Sequence, residues 1–489
     1  MNKTISKLYE TSTIKLLNTF YIKGRTPLNY SFYFLLCIQF LSNFANTTTL
    51  PPIYVWGGSL YELFFATITF LFSLVALTNI LFTILFDHEV TRMDKLLSLI
   101  LLIVAALYFL TNIDSNSTEI PDFLLCISAC IGKSSEKIIK FLLIPGTIFL
   151  LITILLSQAG LISDFIYTPM RHSLGFIYCT DFGAHIIFLV IAYIILKEFK
   201  PSNQLVIIIL ASFALCKYIA MAKTAALCMI ILLIGISIEY MYIKKLGHSF
   251  FEKFKKIMLI IFPLAYSLFC IFTLLYTLFP SLFPDNTLTS RFNFSSTALG
   301  SYNLTFFSRY IYQRGNGDNA GANADASVSS SNLLNIEKNG IIHFTYTLVI
   351  IVLIFIAVLL FAKKIQLYGF LSAITAIMLI AVPGIAVNLA DRNVVGGDGV
   401  SNYFWLDCSY IRILLCDGII VFILIMLLTI YMQYKAYKSH NYMFMFIMCV
   451  IALDCTIEHH LTNISYNFIF MLAFTDYFSP FNKSQNERK

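Results

Sequence analysis

Charge is what this chain is short of. Only 12% of its 489 residues are Asp, Glu, Lys or Arg and 58% are hydrophobic, whereas about a quarter of an ordinary soluble domain is charged. A water-soluble globular fold is therefore excluded. Tryptophan is scarce as well: Trp56 and Trp405 are the two present, each at the edge of an apolar stretch, as interfacial anchors are. The eleven cysteines show neither metal-ligand nor redox spacing and mostly sit inside apolar stretches, as Cys37, Cys126, Cys228, Cys270 and Cys449 do. They read as small apolar filler. Alternating ten-residue segments are missing, which argues against a transmembrane barrel. There is also no inverted repeat of the kind many transporters carry. Residues 1–29 lack the compact apolar core and small-residue cleavage site of a signal peptide, so the first apolar span is expected to serve as an uncleaved anchor.

What is present is a succession of apolar runs, many of them near the ~20 residues that cross a bilayer as helix. They fall at 30–43, 60–86, 95–111, 122–132, 141–160, 180–196, 204–219, 222–243, 258–279, 343–362, 367–388, 408–432, 441–457 and 463–477. Helices satisfy their own backbone groups in lipid. The fold class expected is all-α: a polytopic integral membrane helical bundle of about 14 transmembrane helices. Its parts are a cytoplasmic basic tail (1–29), about nine spans in 30–279, a long extracytoplasmic loop at 280–342, about five spans in 343–477, and a cytoplasmic tail at 478–489. With the N-terminus cytoplasmic, most of the 33 Lys and Arg fall on that side, among them Lys95, Lys133, Lys140, Lys244, Lys363 and Lys435. This follows the positive-inside rule. The net charge of +7 then reflects topology and does not imply nucleic-acid binding.

The ionisable groups that topology does not explain gather on the opposite, outer side. Arg171 and His172 lie in the loop before the span at 180–196, with Thr180-Asp181 at its expected N-cap and His185 one turn on, facing the same way. Lys223 opens another span, where an ammonium opposes the helix dipole and an anionic ligand would offset that cost. Arg291 sits in the long loop, Asp407, Tyr410 and Arg412 at an outer helix start, and Glu458 and His459 in the last outer turn. Asp454 and Glu458 are four apart at the top of a span, so a raised carboxyl pKa is possible there. Of the acids, only Asp417 is expected deep in a span. Charge beside hydrocarbon is costly and usually marks a pathway or a reaction site.

Five stretches together carry a resemblance: RHSLGFIYCTDFGAHI, Lys223-Thr224 opening a span, LTSRFNFSSTALGSYN, LDCSYIRILLCDGII and EHHLTNISYNFIF. Over 160–310 and 403–475 the chain resembles the Wzy-type polysaccharide polymerases of the O-antigen polymerase/ligase group. The resemblance implies an inverting, metal-independent glycosyltransferase of the bacterial plasma membrane that needs no cofactor. It would polymerise undecaprenyl-pyrophosphate-linked oligosaccharide repeat units into capsular or exopolysaccharide at the outer leaflet, beside flippase and chain-length regulator proteins. It further implies that Arg171, Lys223 and Arg291 hold the pyrophosphate, with Lys223 standing where an arginine is expected. Glu458 and His459 match a Glu-plus-His/Gln pattern in the last loop, and with His172 they are the candidates for the general base. Asp181, His185, Asp407, Tyr410 and Arg412 would support the site. Fixed cations suit a departing diphosphate, Arg as a bidentate donor and Lys as a point charge. Two other readings stay open: a ligase-like enzyme of the same group, and a flippase or transporter of the lipid-linked unit.

Overall fold

The computed structural model describes residues 12–50, 54–55, 58–111, 119–167, 171–243 and 406–478, with a few positions between 257 and 311. Of the expected spans, those at 343–362 and 367–388 lie outside the described residues, and the one at 258–279 is described only at scattered positions. So do Arg291, Trp56, Trp405 and most of the loop at 280–342.

The fold is helical throughout, apart from a two-residue hairpin pairing Tyr54–Val55 (β1) with Gly58–Ser59 (β2). The helices are α1 (Ser12–Ala45), α2 (Leu60–Phe86), α3 (Arg92–Thr111), α4 (Glu119–Ala129), α5 (Ser135–Gln158) and α6 (Cys179–Leu196). They continue with α7 (Asn203–Ala214), α8 (Lys223–Ile243), the single turn α9 (Ser409–Arg412), α10 (Ile419–Lys438) and α11 (Tyr442–Ile457). Among the described residues, six helices are long and apolar enough to cross a membrane: α2, α3, α5, α6, α8 and α10. Their outward faces are apolar at helical spacing, with Ile144, Ile148, Leu151, Ile152 and Leu155 on α5 and Ile423, Leu427 and Ile430 on α10 all exposed. Such stripes are ruled out on a soluble surface and are what a lipid-facing helix presents. The chain is a polytopic, mostly helical membrane protein.

Two inner elements depart from simple spanning. Helix α4 has eleven residues, of which Ile120 to Ala129 are buried; at 1.5 Å per residue it reaches about 16 Å, half of a hydrocarbon core. The stretch at 463–477, expected as a last span, is not an α-helix. It runs as turns followed by two 3-10 segments, Ile469–Phe474 and Asp476–Phe478. Irregular backbone at membrane depth is tolerated where protein rather than lipid surrounds it, and Ile469 to Phe474 are all buried. Asparagines supply the bonds that a helix would have made. Asn467 donates to the Leu461 carbonyl (3.0 Å) and accepts from the Ile469 amide (3.3 Å), while Asn463 accepts from the Ser465 amide (2.9 Å).

The expected span at 408–432 is likewise broken. After α9 the chain makes a π turn, Ile413–Asp417, and restarts as α10 beyond Gly418. Gly418 has φ +91°, and a Cβ there would meet the Phe307 carbonyl oxygen at 2.6 Å. The reason lies in the long loop: the Thr305 and Phe306 carbonyls accept from the Ile419 and Ile420 amides (2.9 and 3.1 Å), taking up donors that a helix start leaves open. A π turn, Leu215–Ile219, similarly ends the α7 segment.

The two ends of the bundle differ in charge. At one end Lys435 binds Asp94 (2.9 Å) and the Ala473 carbonyl (2.8 Å), Lys95 caps the Ile84 and Asp87 carbonyls (2.9 and 2.6 Å), and Asp476 receives the Ser135 hydroxyl (2.7 Å). Lys133 lies over the Phe32 ring at that end. At the other end the carboxylate- and histidine-bearing segments meet.

Candidate functional site

The first wall is the loop between α5 and α6. Asp164 organises it, accepting from His172 Nδ1 (2.7 Å), the Leu174 amide (2.8 Å) and the Ser173 hydroxyl (3.4 Å). An isolated antiparallel bridge joins Ile166 to His172. Leu174 and Gly175 take positive φ (55° and 87°), which turns the chain so that the Gly175 carbonyl receives the Thr49 amide (2.9 Å). The His172 amide then donates to the Ile219 carbonyl (3.1 Å), at the end of the π turn that leads into α8. That bond brings the Arg171-His172 loop to the turn where Lys223 begins its helix. Arg171 is half-buried, and its Nε is shielded from solvent with no hydrogen-bond partner among the described residues. Burial pushes the neighbouring Tyr167 hydroxyl up in pKa; Asp181 adds to the shift and Arg171 opposes it.

The second wall is the contact between α6 and α8. A Cβ at Gly183 would meet those of Ala222 and Ala225 at 2.9 Å, so small residues let the two helix starts touch, as they do where membrane helices pack closely. Lys223 is exposed. Asp181 is not the N-cap: Tyr178 holds that position, and Asp181 is already helical. Nor do Asp181 and His185 pair along the helix. Asp181 is buried and accepts the Tyr466 hydroxyl (2.8 Å), whereas His185 bonds through Nε2 to Thr47 Oγ1 (2.8 Å) and stacks on Phe44 with ring centroids 3.5 Å apart. Each carboxylate or imidazole buried here has been claimed by a distant segment. The i, i+4 spacing placed them on one face without making them partners.

The third wall is the end of α11 and the turn after it. Ser409 holds this turn, its amide and hydroxyl both donating to the Glu458 carbonyl (3.2 and 2.6 Å) and its Oγ accepting from the Leu461 amide (3.2 Å). Glu458 is 3% exposed and extended, directly after the helix. His459 is half-buried, its ring 5.2 Å from that of His460. His460, 1% exposed, bonds through Nδ1 to Asp454 Oδ2 at 3.0 Å. A small pocket opens between the second and third walls, lined by Thr180, Ala184, Ala222, Thr224, Asp454, Glu458 and His460, with Ala225. The α6 start, the α8 start flanking Lys223 and the last turn thus share one cavity.

Arg412 lies apart from that cavity. It forms an ion pair with Glu119 at the start of α4 (3.3 Å), while Asp417 accepts the Tyr108 hydroxyl (2.8 Å). These bonds tie the broken helix to α3 and α4. Tyr410 is buried, its hydroxyl on the Ala452 carbonyl (3.4 Å), and Asp407 is buried beside it in sequence. Among the described residues, no three His, Cys, Asp or Glu side chains converge as metal ligands.

Four residues of the site were not among the candidates picked from sequence: His460, Thr47, Asp164 and Tyr466. His459 and His460 are indistinguishable as neighbours in EHHL, and Asp454 reaches His460 only because the chain turns back after α11. Thr47 and Tyr466 lie far along the chain from the groups they bond. No family model, no curated protein and no solved structure matches the chain, so the reading of this site rests on its own geometry.

Proposed function

We propose that the chain is a membrane glycosyltransferase that joins undecaprenyl-pyrophosphate-linked oligosaccharide repeat units into capsular or exopolysaccharide, with its pocket facing the outer leaflet. The observation that carries this reading is the convergence at one end of the bundle. The loop bearing Arg171 is hydrogen-bonded to the turn that opens α8 at Lys223, and the residues flanking Lys223 line a pocket with Glu458, Asp454 and His460. Cations and proton acceptors beside each other at the end of a lipid-facing bundle suit transfer from a lipid diphosphate to a hydroxyl. The cations stabilise charge that develops on the leaving oxygen, and a buried base takes the proton of the attacking hydroxyl. Arg171 fits the diphosphate role because its guanidinium is partly desolvated and its Nε has no protein partner among the described residues. An unpaired buried donor is costly unless a ligand occupies it.

Inversion follows from direct displacement of the diphosphate by the hydroxyl. A chain-length profile tests the reading. Replacing Arg171 with Ala should abolish polymer growth while single lipid-linked units accumulate at the outer leaflet. A normal polymer left unattached would favour a ligase, and units retained at the inner leaflet would favour a flippase. An unchanged polymer profile would remove Arg171 from the chemistry altogether.

A further inference from the structure

Four imidazoles and several carboxylates crowd this end of the bundle, yet one pair combines an open ring nitrogen with a place on the pocket wall. His172 spends Nδ1 on Asp164 in a loop whose side chains are partly exposed. His185 is caged by Phe44, Phe176 and Tyr466 and bonded to Thr47. His460 is anchored by Asp454 through Nδ1, lines the pocket, and has a buried Nε2 with no hydrogen-bond partner among the described residues. A carboxylate on Nδ1 fixes the tautomer, because Nδ1 must then carry the hydrogen and Nε2 the lone pair.

On the polymerase reading just given, we infer that His460, positioned by Asp454, rather than His459, is the base that takes the proton from the acceptor hydroxyl. The hydroxyl oxygen forms the new bond to the donor's anomeric carbon while its hydrogen passes to His460 Nε2. The bond from that carbon to the pyrophosphate oxygen breaks, and its electron pair leaves with the diphosphate toward Arg171 and Lys223. The pocket is small, with free space on the order of one water molecule, far short of the ~300 Å³ of a site that swallows a whole ligand. A group the size of a hydroxyl is what it has room for, with the rest of the acceptor outside. Thr180 and Thr224 are on its wall, and their hydroxyls can both donate to and accept from such a group.

The surroundings set the strength of the base. Burial alone would weaken protonation of His460, but Asp454 outweighs it, with Glu458 and Asp181 adding, so the imidazole sits above its ordinary value. The groups facing it are Asp454 and Glu458 at the end of α11, Asp181 and His185 on α6, Tyr466 in the following segment, His459 beside it, and Cys228 on α8, which lies close to both acids. A base with a raised pKa is protonated and idle at low pH, and the rate climbs as pH rises through that value. Making Asp454 neutral lowers the value and moves the climbing limb to lower pH.

The test uses membranes containing the full chain, with a lipid extract from the deletion strain as substrate, since that extract holds the accumulated undecaprenyl-pyrophosphate oligosaccharide. H460Q keeps an amide that can still donate to Asp454, and should slow chain growth by about 100-fold or more, the range of general-base effects. D454N should slow it less and shift the climbing limb toward acid, a displacement that a purely structural role would not produce. H459Q should leave the limb where it is. Full-rate H460Q, an unmoved limb in D454N, or a limb lost in H459Q instead would each overturn the assignment and leave the polymerase reading standing. Failure of the wild-type membranes to consume the extract would bring down the polymerase reading and this inference with it.

Discussion

At the scale of single residues, the site end of the bundle is an exercise in satisfying buried polar groups. Asp181 is 8% exposed and the Tyr466 hydroxyl is its recorded partner. Removing that hydroxyl leaves the carboxylate short of a donor, which costs roughly 1–3 kcal/mol in a buried setting. Tyr466→Phe keeps the ring against His185 and His460 (4.5 and 4.6 Å between centroids), so packing is preserved and the hydroxyl alone is tested. The detergent-solubilised variant should melt several degrees below wild type; an unchanged Tm would mean that Asp181 has another source of hydrogen bonds. The same logic separates the residues picked from sequence. Arg412 has its carboxylate in Glu119 and Tyr410 its carbonyl in Ala452, bonds that tie the broken helix to its neighbours, whereas His460 bonds to Asp454 on the wall of the pocket.

At the scale of elements, the informative places are those where a helix stops short. The Gly418 break lets a carbonyl of the long loop approach the start of α10, a geometry closed to any residue with a Cβ because of both the positive φ and the contact at 2.6 Å. Gly418→Ala should therefore destabilise the protein by more than the ~1 kcal/mol at which Ala normally exceeds Gly in a helix. It should also expose residues 304–308 to proteolysis, which limited digestion followed by mass spectrometry would detect. Protection equal to wild type would show that the loop docks without the break. Apolar periodicity made α2, α3, α5, α6, α8 and α10 legible as spans, since their run lengths match the bilayer. It misread 463–477, because a stretch as apolar as SYNFIFMLAF reads alike whether it faces lipid as helix or protein as irregular chain. The asparagines at 463 and 467, which carry the backbone bonds of that segment, were the signal available.

At the scale of the whole molecule, the two ends divide the work. One gathers the lysines that bind carbonyls and carboxylates (Lys95, Lys133, Lys435) and the other the pocket. The orientation expected from positive charge can be tested with cysteines placed at exposed positions, because the described native cysteines are buried or half-buried. Ser163→Cys, in the loop of the pocket end, should react with an impermeant maleimide in intact cells. Lys438→Cys, at the lysine end, should react only after permeabilisation. The opposite pattern would turn the pocket to the cytoplasm and end the outer-leaflet reading.

Composition by itself determined that this chain lives in a membrane as a bundle of helices, because a sequence so poor in charge has no other way to satisfy its backbone and its surface. It also marked the segments at which costly charge collects. Which of those charges meet was decided by tertiary structure alone. Partners such as Asp181 and Tyr466, Thr47 and His185, or Arg412 and Glu119 are brought together by helix packing across hundreds of residues, and the return of the chain after α11 is what sets His460, and not its neighbour, against Asp454.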